Sequence, residues 1–263
     1  MREKLILLGT FLVILLSTRV ESLEQKGEAI TQQLGTNYQI KSQILKENRQ
    51  LLIHLPDGYS SSEKKFPVLY LLDGNGHFAH AVTAAAILEQ HRLIPEIIIV
   101  GIPNNRGTRS RDLFRERDNF IRFIDTEIMP FVNSNFRTSN HKTLFGHSAA
   151  GGFALALLRG EHAQLFDHYI TASPAISKNT VNDFKGLFET GHTFESSIYF
   201  SLGGFELEAQ AIQPASVQEL ARLLETVKPG SLSWQYHEFP EQNHMTTPYL
   251  SLFRGLVHSF KKE

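Results

Sequence analysis

Two short runs of apolar residues constrain this chain more than anything else in it. Phe66-Pro67-Val68-Leu69-Tyr70-Leu71-Leu72 ends at Asp73-Gly74, and Glu96-Ile97-Ile98-Ile99-Val100 ends at Gly101. A strand with one wet face alternates apolar and polar residues. A strand covered on both faces shows continuous runs like these, which is the mark of a parallel sheet between layers of helices. The intervening Phe78–Gln90 reads as the helix that such a crossover needs.

The same alternation extends along the chain. Tyr38–Leu45 and Arg49–Leu55 read as an antiparallel pair around the turn Lys46-Glu47-Asn48, and Pro56–Lys65 as a surface loop. Lys142–Phe145, His168–Thr171, Ile198–Leu202 and Ser233–Phe239 complete eight candidate strands. Asp118–Phe136 has apolar residues at helical spacing with a kink expected at Pro130, and Ala149–Leu158, Ala215–Val227 and Met245–Lys261 supply further helices. The expected architecture is one doubly wound, mostly parallel eight-stranded sheet flanked by helices. No stretch is long enough for a separate lid domain.

The first 22 residues stand apart from this pattern. Met1-Arg2-Glu3-Lys4 precedes an apolar run from Leu5 to Leu16, and Val20 and Ser22 stand where a signal peptidase takes small side chains. Residues 1–22 therefore read as a signal peptide and 23–263 as the mature domain, periplasmic or secreted, with an uncleaved anchor as the alternative. The chain has no cysteine, which excludes a thiol nucleophile, thiolate metal sites and a disulfide framework. With 263 residues it can bury enough apolar surface to do without staples. Its net charge of −1, with no basic run, gives no footprint for nucleic acid.

The strongest chemical signal is Leu144-Phe145-Gly146-His147-Ser148-Ala149-Ala150-Gly151-Gly152. It follows a predicted strand and opens a helix of small residues, the context of a nucleophile elbow at Ser148. Such a turn needs small neighbours two residues to either side. Gly146 meets that need, whereas position 150 holds alanine in place of glycine. A serine requires a base, and the base a carboxylate to orient it, in the chain order nucleophile, acid, histidine. His244 lies in the polar segment Pro240–Met245 after the last strand and is preferred to His237, which sits inside that strand. The acid should follow Ile198–Leu202. Glu206 is preferred there to Glu208, with Asp183 a third option.

Backbone donors for the oxyanion are expected at Ala149 and in the loop Asp73-Gly74-Asn75-Gly76-His77-Phe78, at Asn75 in preference to Gly74 or Gly76. His77 and His147 are candidate substrate-contacting residues. His77 and His80 lack a third ligand nearby, so they read as residues lining the site or the surface, not as a metal pair. Within Arg106–Asp112, Arg106 and Arg109 could meet an anionic substrate. The competing reading makes this segment an arginine–aspartate network that braces the loop.

These stretches together resemble the Putative esterase family of α/β-hydrolases, the group around S-formylglutathione hydrolase (esterase D), siderophore esterases and feruloyl or acetyl-xylan esterases. The likeness is carried by Pro67–Phe78, Val100–Leu113, Phe120–Phe136, Gly146–Gly152, Leu165–Ile176 and Asn243-His244. It implies an α/β-hydrolase fold, a Ser148–Glu206–His244 triad, an oxyanion amide at Asn75, and hydrolysis of a small or siderophore-type ester without a cofactor or metal. Acyl transfer on the same triad, or a hydrolase-fold binding protein without catalysis, are the alternatives.

Overall fold

The structure is a computed structural model and describes residues 28–206, 213–230 and 232–261. The segment read as a signal peptide and Glu208 lie outside the described residues. The chain divides into two compact units, 1–33 and 34–263. The described part of the first, residues 28–33, carries no regular secondary structure.

The second unit contains the whole sheet. Its strands are β1 (Thr36–Lys41), β2 (Asn48–His54), β3 (Phe66–Leu72), β4 (Ile98–Ile102), β5 (Thr138–His147), β6 (His168–Ala172), β7 (Ser197–Phe205) and β8 (Ser233–Asn243). They lie in the order β1-β2-β4-β3-β5-β6-β7-β8. Strand β2 pairs antiparallel with both β1 and β4, and from β4 to β8 every pairing is parallel. The described helices are α1 (Gly74–Gln90), α2 (Arg117–Phe123), α3 (Met129–Asn135), α4 (Ala149–Leu158), α5 (Lys178–Glu189), α6 (Pro214–Val227) and α7 (Thr247–Ser259).

The unbroken apolar runs now have their cause. Phe66, Val68, Tyr70 and Leu72 of β3 enter a core shared with α2 to α6, while Leu69 and Leu71 enter a second core under α1 and α7. Strand β4 divides likewise, with Ile98, Val100 and Ile102 to one side and Ile99 to the other. A polar residue at any of these positions would be stranded in one core or the other.

Several boundaries differ from the sequence reading. Strand β5 is longer than Lys142–Phe145 because its early residues pair with the start of β3. Strand β8 runs past Phe239 to Asn243, so His244 is the first residue beyond it. The helix expected over Asp118–Phe136 is α2 and α3 joined by a wide π-type turn at Ile124–Ile128. That turn lies just ahead of Pro130, which has no N–H to give the preceding turn, and widening absorbs the misfit. Helix α5 was not anticipated. It buries only Val181 and Phe184 and carries Asp183 toward Arg159, away from β7. Among the described residues, no helix is long and apolar enough to cross a membrane.

Candidate active site

Strand order reverses at β3 and β5. From β3 the chain crosses to β4 on one side, and it returns by α2 and α3 to β5 on the other. Loops at the carboxyl ends of two such strands diverge and leave a crevice, where ligands of open α/β sheets bind. Here those loops carry Asp73–Gly76 and Ser148.

Ser148 sits between β5 and α4 with φ 57° and ψ −120°, a strained backbone for a serine and the geometry that exposes an elbow side chain. The turn is locked from both directions. Its N–H donates to the Ala172 carbonyl at 3.0 Å, and its carbonyl accepts from Gly152 at 2.9 Å and Ala175 at 2.8 Å. Gly146 is obligatory, since a Cβ there would lie 2.4 Å from the Ala150 carbonyl oxygen. Ala150 is fully buried, and close approach to the next loop falls instead on Gly152, whose added Cβ would meet the Ala175 carbonyl oxygen at 2.4 Å. The departure at position 150 therefore falls where the elbow tolerates a methyl.

Helix α1 begins at Gly74, earlier than the Phe78 start expected, because Asp73 adopts a left-handed conformation (φ 52°) that turns the chain directly into the helix. Asn75, Gly76 and His77 thus belong to its first turn. Backbone N–H groups at a helix start have no partner within the helix. Asn75 on α1 and Ala149 on α4 both stand at such positions, at the starts of helices that follow adjacent parallel strands.

Glu206 and His244 are brought together. His244 Nδ1 lies 3.0 Å from Glu206 Oε2, and the two side chains are 11% and 2% exposed. Burial alone would push the Glu206 carboxyl up. Bonds from the His244 ring, the Ser173 hydroxyl and the Gly203 N–H outweigh it and hold the group below its ordinary value. The His244 turn is closed by Asn243, whose Oδ1 accepts from the N–H groups of Met245 and Thr246 at 2.9 and 3.1 Å.

His147 is buried, and its Nε2 lies 2.8 Å from the His244 carbonyl oxygen, which it can approach only as a donor. Burial, then the neighbouring His244 and His77, push its pKa down to about 3. Its ring packs against that of His244 with centroids 4.5 Å apart. His77 packs against His147 and His80, and His80 against Tyr249 of α7. Burial lowers the His77 pKa and takes that of His80 to about 4, which favours the neutral form of these rings. Among the described residues no cluster of three or more metal-ligating side chains occurs.

Arg109 reaches Asp73 with Nε and Nη2, both at 2.7 Å, and Asn104 also donates to Asp73. It is thereby engaged in holding the residue that starts α1. Arg111 joins Asp112 and Glu47, an arginine–carboxylate network of the kind the competing reading of this segment describes. Arg106 lies exposed in the preceding turn. His237 lies within β8, beside Phe239. Sequence reasoning missed Ser173, the donor to Glu206. Its only sequence signal was its place in the stretch that resembles the family.

Residues 42–242 match the family described as "Putative esterase". The chain is 24% identical over 226 residues to the ferri-bacillibactin esterase BesA of Bacillus subtilis, covering 73% of this chain and 78% of that one. It is 30% identical over 166 residues to the siderophore triacetylfusarinine C esterase of Aspergillus fumigatus, covering 53% and 56% of the two chains. An IroE-like serine hydrolase from Shewanella oneidensis superposes with a TM-score of 0.78 at 26% identity, over 85% of this chain and 79% of that one. The chain belongs to this esterase family, has its α/β-hydrolase fold, and is a serine ester hydrolase.

Proposed function

We propose that the protein hydrolyses carboxylic esters through an acyl-enzyme on Ser148, with His244 as general base and Glu206 as its orienting acid. The observation that carries this reading is the 3.0 Å bond between Glu206 Oε2 and His244 Nδ1, made on the loops that follow β7 and β8. With Nδ1–H directed at the carboxylate, Nε2 is left as the basic nitrogen. It takes the Ser148 Oγ proton as that oxygen attacks the ester carbonyl, then returns it to the departing alcohol. Water repeats the sequence and releases the acid. The developing oxyanion is held by the N–H groups of Asn75 and Ala149, at two helix N-termini whose dipoles favour negative charge.

The substrate we assign is a small or siderophore-type ester. Two relatives are named for siderophore ester cleavage. Phe205 and Met245, adjacent in sequence to Glu206 and His244, and Tyr249 are large apolar side chains left exposed, as a rim for an apolar or aryl group would be. The apolar run Leu5–Leu16 supports export with loss of residues 1–22. The mass of protein recovered from the exporting cell tests that cleavage.

A fluorophosphonate probe should label the protein, and Ser148→Ala should abolish both labelling and turnover of p-nitrophenyl acetate. An intact wild-type protein that stays unlabelled would instead support a binding role. Assays on ferric trilactone siderophores beside p-nitrophenyl esters of increasing chain length then separate a siderophore esterase from a general one. Added alcohol acceptors would reveal acyl transfer through the ester product.

A further inference from the structure

Ser173 follows β6 and precedes Pro174. It is fully buried, and its φ of 40° lies in the region that residues other than glycine, asparagine and aspartate seldom occupy. Glycine would adopt this backbone without strain, so the local turn does not explain a serine here. The side chain does. Its Oγ donates to Glu206 Oε1, and its backbone N–H is tied to the Ser201 carbonyl of β7 at 2.9 Å. The strained conformation is thus anchored to the strand that delivers the acid.

The two oxygens of Glu206 have divided duties. Oε2 meets His244 Nδ1 at 3.0 Å, while Oε1 accepts from Ser173 and from the Gly203 N–H at 3.1 Å. Glu206 stands just past the end of β7, on a side chain with three rotatable bonds. Without donors on Oε1 the carboxylate could turn about its last bond and present neither oxygen squarely to the histidine. The N–H of Gly203 approaches from Glu206's own strand. The serine hydroxyl approaches from the neighbouring one and fixes the carboxylate across the sheet.

We propose that Ser173 is a positioning residue of the catalytic machinery, whose hydroxyl orients the Glu206 carboxylate toward His244 and whose left-handed backbone is retained for that purpose. This rests on the triad reading above. Backbone strain held by its surroundings at a residue that aims a polar group into a site is how functional strain is ordinarily stored.

The test compares Ser173→Gly and Ser173→Ala with wild type and with Ser148→Ala, in thermal melts and in p-nitrophenyl butyrate kinetics. Glycine relieves the backbone and removes the hydroxyl. It should leave Tm unchanged or higher while kcat falls about tenfold or more, the loss expected for a hydrogen bond to a charged group, with KM nearly unchanged. Alanine should lose a similar share of kcat with no gain in Tm. The low-field proton resonance of the His244 Nδ1–H should weaken in both. If Ser173→Gly keeps kcat within about twofold of wild type, or loses Tm and kcat together, the positioning role is overturned. If Ser148→Ala retains turnover, the triad reading itself falls. An inactive Ser148→Ala beside a fully active Ser173→Gly removes the positioning role alone.

Discussion

The histidine that precedes the nucleophile is already committed within the protein. His147 gives its Nε2–H to the carbonyl of His244, across 97 residues of chain, and burial, with the neighbouring His244 and His77, pushes its pKa down to about 3. A substrate contact through that nitrogen would break the bond. The geometry suits another task. One residue away from Ser148 along a rigid strand, the ring clasps the backbone of the proposed base and packs on its imidazole. His147→Phe keeps a flat ring and removes the donor, leaving the His244 carbonyl without that partner. Its kcat should drop by about tenfold or more, the scale of losing a hydrogen bond and of a small displacement of catalytic groups. His147→Gln carries an amide N–H near the position of Nε2 and should recover part of that loss. Steady-state kinetics on one p-nitrophenyl ester decide it, and equal activities for the two variants would remove the clasp.

At the scale of elements, α1 does more than offer amides to the crevice. At its far end Glu89 accepts the N–H of Ile97, where the chain turns into β4. Burial pushes its carboxyl up to about 7, against the pull of that N–H, from an ordinary value of 4.5. The folded state therefore holds this proton more tightly than the unfolded chain does. Between about pH 4.5 and 7 the unfolded form ionises first, so the group's contribution to stability falls as pH rises through that window and stays low above it. Glu89→Gln keeps an Oε1 acceptor for Ile97 and removes the titration. Its Tm should exceed that of wild type at pH 8 and match it near pH 4. A gain of equal size at both values would contradict the argument.

Elements also show what was legible in the sequence. Strands β3 and β4 could be read because both their faces are buried, and the elbow because its glycines are demanded by backbone contact. Helix α5 escaped notice because it buries only two side chains and contains Gly186. The end of β8 escaped because Pro240–Asn243 is polar and largely exposed yet still pairs with β7. Ser173 lies in a stretch that resembles the family, but no residue pattern there gives its role. Its role depends on one positive φ and on loops that approach one another only after the sheet has formed.

The whole molecule is held at its antiparallel edge by an ionic centre that reaches toward the crevice. Arg49 of β2 is fully buried against Phe120 and Phe123, with its guanidinium carbon 5.6 and 5.5 Å from their ring centroids. Nη1 lies 2.7 Å from Asp112 and 3.0 Å from Glu47, and Nη2 lies 2.9 Å from the Pro103 carbonyl oxygen. Arg111 closes the group by pairing with both acids. The hairpin of β1 and β2 is thereby tied to the connection after β4, which sends Arg109 to Asp73 at the start of α1. Such a centre is a demanding way to hold a fold, because each buried charge depends on the others for the solvation it has lost. Asp112→Ala would leave Arg49 buried beside a single, partly exposed acid. The expected loss is about 3–5 kcal/mol, read from urea unfolding. The double variant Arg49→Met/Asp112→Leu removes both charges and fills the space with apolar groups, so it should recover most of that loss. Should the double variant be as unstable as Asp112→Ala, packing at this edge and not stranded charge would be what the centre protects. Should it be stable but turn over esters more slowly, the network's value would lie in placing Asp73, and through it the first turn of α1 with its Asn75 amide.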